Sequence, residues 1–156
     1  MKEIADDHIV EDRVLNIASM TGTPSQPQSP LRTLWLIIGW MLVALIVYLS
    51  VTPYPLEIPV EQGDKLGHVM AYLVLMSWFS NLYEGPAQRV VCAAGCIALA
   101  IGLEFVQRWT GYRSFEYADM AAGASGVIVA WALAPPRLPN YLHFAERILF
   151  AVASRE

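Results

Sequence analysis

The chain has little charge. Only 15% of its 156 residues are Asp, Glu, Lys or Arg, against 56% hydrophobic, where a soluble domain of this size carries about 25% charge. That shortage excludes an ordinary water-facing surface and points to an integral membrane protein. A basic run is lacking and the net charge is −4, so no nucleic-acid partner is expected. Cysteine is confined to Cys92 and Cys96. They stand one helical turn apart in an apolar stretch and read as small packing residues, with a paired redox or metal role as the alternative. The three histidines, His8, His68 and His143, share no motif, so no metal and no cofactor is expected. A secretory leader is not expected either. The first residues are acidic (Glu3, Asp6, Asp7, Glu11, Asp12), and the first apolar run begins after residue 33.

What is present is apolar sequence in four blocks. Residues 33–52 form the first, and about 20 residues at about 1.5 Å each cross a hydrocarbon core of about 30 Å. Pro53-Tyr54-Pro55 stops it. Residues 66–82 form the second, ended by Asn81, Glu84, Gly85 and Pro86. Residues 87–106 form the third, followed by a polar and aromatic loop from Arg108 to Glu116. Residues 118–134 form the fourth, closed by Pro135-Pro136. The expected fold is all-α: a bundle of four transmembrane helices. Residues 1–33 are read as a cytoplasmic tail and linker, with Ile9 or Val10, Val14 and Ile17 at helical spacing. Residues 34–134 are the membrane domain, and residues 135–156 a cytoplasmic tail. In that tail Tyr141, Leu142, Phe144, Ala145, Ile148, Leu149 and Val152 recur as in an amphipathic helix resting on the membrane surface.

Orientation follows from the basic residues. Lys2, Arg13, Arg32, Arg89, Arg137, Arg147 and Arg155 all fall on one side of this four-span topology. Both termini are therefore predicted to be cytoplasmic. Lys65, Arg108 and Arg113 lie on the other side, among the chain's most unusual residues.

Those residues are polar groups gathered where a bilayer tolerates them least. Asp64, Lys65 and His68 open the second span. Glu104, Gln107 and Arg108 close the third, and Arg113, Glu116 and Asp119 lead into the fourth. A charge at the bilayer centre costs roughly 2.5–3.5 kcal/mol on insertion scales, so such groups point to function. Asp64, His68 and Tyr72 follow at intervals of four and share one helix face. Asp64 and Asp119 sit where helix N-termini favour negative charge. Glu104 or Asp119 is expected to pair with His68, and Lys65 or Arg113 with a carboxylate.

Several uses of the cluster stay open. It can be a lock between spans, although Gly95, Gly102, Gly123 and Gly126 already supply small packing residues. His68, Glu104 and Asp119 offer nitrogen and oxygen ligands to a metal. His68 with a carboxylate offers acid–base catalysis, with Ser114 as the loop's hydroxyl. Trp109, Tyr112, Phe115 and Tyr117 alternate with the loop charges, as an interfacial belt or as a stacking platform for a sugar.

Asp64-Lys65-Leu66-Gly67-His68-Val69-Met70-Ala71-Tyr72, then Glu104-Phe105-Val106-Gln107, Arg113-Ser114-Phe115-Glu116 and Asp119-Met120, resemble the VanZ-like family of small bacterial membrane proteins over about residues 34–134. Ser50, Pro53 and Gly126 also fit. One position departs: Gly123 stands where the family usually has asparagine. The resemblance implies a bacterial cytoplasmic (inner) membrane protein of the cell envelope. The family's namesake is linked to resistance to the glycopeptide antibiotic teicoplanin, and no reaction is implied.

The expected function is a non-enzymatic envelope protein whose outward-facing polar pocket binds the headgroup of an envelope lipid, a glycan intermediate or an amphiphilic antibiotic. Asp64, Lys65, His68, Tyr72, Glu104, Gln107, Arg113 and Asp119 are the candidate ligand-binding residues. Arg113 and Lys65 would hold phosphate or carboxylate, Glu104, Asp119 and Gln107 would orient hydroxyl and amide groups, and His68 would make the site pH-sensitive. The alternatives are an enzyme acting on an envelope lipid and a scaffold of a membrane assembly. Membrane lipids are the expected partners, and the oligomeric state is left open.

Overall fold

The computed structural model describes residues 30–53, 62–111 and 115–153. Among these residues are five helices: α1 (Pro30–Val51), α2 (Gly63–Leu82), α3 (Pro86–Thr110), α4 (Tyr117–Leu133) and α5 (Tyr141–Ala153). No strand occurs among the described residues. The tail pattern at Ile9, Val14 and Ile17, the loop after Pro53 and the segment Tyr112–Ser114 lie outside them.

Local chemistry explains most of the boundaries. Pro86 opens α3 at a position that needs no N–H donor, and the Gln88 side chain accepts from the Gly85 N–H at 3.4 Å. Gly111, at φ 71°, ends that helix in the left-handed conformation that glycine adopts without cost. Helix α3 is thus longer than the expected third span. Gln107 and Arg108 belong to its last turns, not to the loop that follows. Asn140 opens α5, its Oδ1 accepting from the Leu142 and His143 N–H groups at 3.0 and 3.2 Å.

Helices α2 and α4 form the closest pair. Small residues make that approach possible. A methyl group at Gly126 would overlap the Val69 carbonyl, and one at Gly123 would meet the Tyr72 ring at 2.9 Å. Tyr72 therefore occupies the room where an asparagine side chain at position 123 would stand. Gly95 and Gly102 behave differently, because a methyl at either meets nothing within 4 Å. They are not close helix contacts. The core runs along α2 (Tyr72, Leu75, Met76, Phe79), α3 (Cys96, Ala100) and α4 (Val127, Ala130). Helix α1 joins through Gly39, which admits the Phe79 and Trp78 rings, and through Trp35 stacked on Trp78 at 4.0 Å.

Two helices, Leu31–Val51 and Pro86–Thr110, are long and apolar enough to cross a membrane. Only 6% of the apolar window of α1 and 28% of that of α3 is buried. A core helix of a soluble protein would be mostly buried. Here Ile37, Trp40, Met41, Val91, Phe105 and Ile128 all remain more than half exposed.

Hydrogen bonds locate the two ends. The Gln107 amide donates to the Ser50 carbonyl, joining the last turns of α1 and α3. Lys65 reaches Glu116 and Asp119, joining the first turns of α2 and α4. At the opposite end the Arg89 guanidinium donates to the Tyr83 and Pro135 carbonyls. Helix α5 is tied there as well. The Tyr141 N–H donates to Asn81 Oδ1 at 2.8 Å, Asn140 Nδ2 donates to the Asn81 carbonyl at 3.1 Å, and His143 pairs with Glu84 at 2.9 Å. Leu142 is buried beneath them. The first turn of the C-terminal helix is thus tied to the bundle, while Phe144, Ile148 and Leu149 stay about half exposed or more, leaving its apolar stripe uncovered as the sequence pattern expects of a surface helix.

Candidate functional site

The antiparallel course of α1–α4 brings the conspicuous polar residues to one end. Asp64 and Asp119 occupy the first turns of α2 and α4. There the unpaired N–H groups of each helix favour negative charge. Gln62, at φ 62°, turns the chain into α2 just before Asp64. It is the one non-glycine residue with positive φ among those described.

Within the cluster the side chains divide into two groups. The first is committed to backbone. Glu104 is 1% exposed and accepts the Glu116 N–H through Oε1 at 2.7 Å. Gln107 is 2% exposed and donates to the Ser50 carbonyl at 3.0 Å. These two residues hold the segment before α4 and the end of α1 against α3. A carboxylate accepting from a backbone N–H makes a charge-assisted bond, roughly twice as strong as a neutral one.

The second group converges on a common space. Lys65 Nζ lies 3.0 Å from Glu116 Oε2 and 3.8 Å from Asp119 Oδ1. Ligand-type atoms of Asp64, His68 and Asp119 all lie within 4.8 Å of one another. The His68 ring bonds through Nδ1 to the Asp64 carbonyl at 3.0 Å. A carbonyl only accepts, so Nδ1 carries a proton and Nε2 is the nitrogen left for another partner. Asp119 is 3% exposed, and its Oδ1 has no hydrogen-bond partner. Buried carboxylate oxygens are normally satisfied, and an exception asks for a reason.

The expected pairing of Asp119 with His68 and of Lys65 with carboxylates matches these positions. Glu104 does not pair with His68, since its carboxylate is turned to the Glu116 backbone. Tyr72 shares a helix face with Asp64 and His68, yet it is 2% exposed and packs into the core against Gly123. It is a wall beneath the cluster, not a ligand at its mouth. Arg113 lies outside the described residues, as do Tyr112 and Ser114.

Around the cluster runs a rim of rings. Phe115 packs on Phe105 and Tyr117 at centroid distances of 5.5 and 4.9 Å, and the Arg108 guanidinium lies 5.3 Å above Phe115. Trp109 and Tyr117 are 91% and 77% exposed. Rings facing outward at one level fit an interfacial belt better than a platform aimed into the cluster.

A separate apolar cavity of about 300 Å³ lies between α1, α2 and α3, lined by Trp40, Val43, Leu75, Phe79, Cys96 and Leu99 among others. It includes none of the clustered polar groups. The polar network of Asn81, Asn140, Glu84 and His143 at the opposite end was not singled out from sequence. The available signal was Asn81 itself, an amide at the end of an apolar span, which reads as a turn marker and is in fact 5% exposed.

The chain is 27% identical over 128 residues to an uncharacterized protein of Schizosaccharomyces pombe, covering 80% of this chain and 74% of that protein. No family model matches the chain. No solved structure matches it.

Proposed function

We propose that the chain is a multi-pass protein of the bacterial cytoplasmic membrane in which α1–α4 cross the bilayer and both ends of the chain lie on the cytoplasmic side. Its outward-facing polar cluster binds the headgroup of an envelope lipid or lipid-linked glycan. The observation that carries this reading is the Asp119 carboxylate. It is buried at the end of the bundle with an oxygen that no donor satisfies, beside Asp64, His68 and Lys65. Proteins keep such groups where a ligand completes them. The largely exposed apolar flanks of α1 and α3 supply the lipid-facing surface that the reading requires.

In this reading Lys65 meets phosphate or carboxylate on the ligand, and Asp64 and Asp119 orient hydroxyl or amino groups. A second reading, a lock between helices, is favoured most clearly at two positions. Glu104 and Gln107 spend their hydrogen bonds on the backbone of neighbouring segments. They are positioning residues for the same site.

The test is the lipid that the protein retains. Purified in mild detergent, the wild type should carry an enriched lipid class that mass spectrometry identifies. Lys65→Met should lower its retention at least fivefold while the protein stays monodisperse. Retained lipid that mirrors the bulk membrane in both proteins would refute the reading.

A further inference from the structure

We propose that Asp64, His68 and Asp119 form a binding site for a divalent first-row metal ion of the zinc or manganese class, at the end of the bundle where α2 and α4 begin. The inference goes beyond headgroup binding and does not depend on it.

Four observations carry it. The three residues each offer a ligand atom, and these atoms lie within 4.8 Å of one another. An ion about 2.1 Å from each of three ligands holds them about 3–3.5 Å apart. The set closes onto an ion with side-chain movements of about 1 Å, and two of the three side chains are not buried. Second, Asp119 Oδ1 is buried without a hydrogen bond, although the residue is only 3% exposed. The ammonium of Lys65 is 3.8 Å away and bonded to Glu116 at 3.0 Å. A cation at short range would supply what the oxygen lacks. Third, His68 is oriented as metal-binding histidines are: one ring nitrogen donates to a backbone carbonyl, here that of Asp64, and the other is left for another partner. Fourth, Asp64 is exposed, so the site opens to water and leaves coordination positions for further oxygen ligands.

The donor set selects the ion. One imidazole and two carboxylates suit zinc or manganese better than calcium, which takes six to eight oxygens, or copper(I), which prefers sulfur. From sequence no metal is expected, and the conceivable ligands are His68, Glu104 and Asp119. The structure replaces Glu104, whose Oε1 is taken by the Glu116 N–H, with Asp64. Lys65 is the one cation placed against the site among the described contacts, and Glu116 offsets it.

The experiment titrates the metal alone into the full chain. The protein, free of any affinity tag, is stripped with chelator in detergent and titrated with Zn²⁺ by calorimetry. Co²⁺ then serves as a visible-absorption probe of nitrogen and oxygen coordination. The wild type should bind one equivalent. His68→Gln and Asp119→Asn should each weaken binding at least tenfold and abolish the cobalt bands. Glu84→Gln, which touches only Asn140 and His143 at the opposite end among the described contacts, should bind as the wild type does. If Asp119→Asn does not fold, His68→Gln, at a partly exposed position, decides alone. No binding by the wild type, or wild-type affinity in His68→Gln, overturns the proposal. No lipid enters the titration, so failure of ion binding and failure of headgroup binding are read separately.

Discussion

Glu104 and Asp119 are both buried carboxylates at one end of the same bundle, and they do different work. Glu104 accepts a backbone N–H at 2.7 Å, whereas Asp119 leaves one oxygen without a hydrogen bond. Removing Glu104 therefore strands a partly buried donor, the Glu116 N–H. Glu104→Leu should cost about 1–3 kcal/mol, the penalty for an unpaired polar group, seen as a lower melting temperature in detergent. Glu104→Gln keeps an acceptor oxygen and should lose less. The glycines divide in the same way. Gly126→Ala drives a methyl into the Val69 carbonyl and should destabilise the bundle by about 1–3 kcal/mol. Gly102→Ala meets nothing and should leave the melting temperature unchanged or raised. Equal losses from Gly126→Ala and Gly102→Ala would refute this account of the α2–α4 contact.

At the scale of elements, the four apolar blocks were legible because length and composition alone mark them. Their edges were less so. Helix α3 runs on through Gln107 and Arg108 to Thr110, because Gly111 is the first residue able to take the left-handed conformation that ends it. Polarity reads as loop in sequence, but here it marks the last turns of a helix, with Gln107 buried and Arg108 exposed. The C-terminal helix was legible as amphipathic, but its partner was not. An apolar stripe does not show where a helix begins on its neighbours. The pairing of Asn81 with Asn140 and Tyr141, some 60 positions apart in the chain, anchors the first turn and leaves the stripe exposed. Asn81→Ala should release α5 first. Hydrogen exchange should then rise across residues 141–149 by at least tenfold while α2 and α4 stay protected. Uniform exchange in both proteins would show that the amide does not hold the helix. The site was legible in part for a related reason. Residues spaced by four on one helix can be paired by inspection, whereas Asp64 and Asp119, 55 positions apart, are brought together only by the packing of α2 on α4.

Taken whole, the molecule is a bundle with an apolar flank and two unlike ends. One end is closed by hydrogen bonds among Asn81, Glu84, Asn140, Tyr141 and His143 and from Arg89 to two carbonyls, and the polar atom it leaves unsatisfied is a neutral indole N–H, that of Trp35. The other keeps a buried carboxylate oxygen unsatisfied beside a lysine, an imidazole and a second carboxylate. In the proposed reading the first end is built for stability, and the second holds groups kept for a ligand. A group kept for function is often neutral or costly to the fold. The most direct measurement is the melting temperature of Asp119→Asn against wild type, in detergent-exchanged, chelator-treated protein at matched expression. The account predicts equal or higher stability for the variant, together with loss of retained lipid or bound metal. A clear drop in melting temperature, with lipid and metal binding unchanged, would make Asp119 a lock between helices and contradict it.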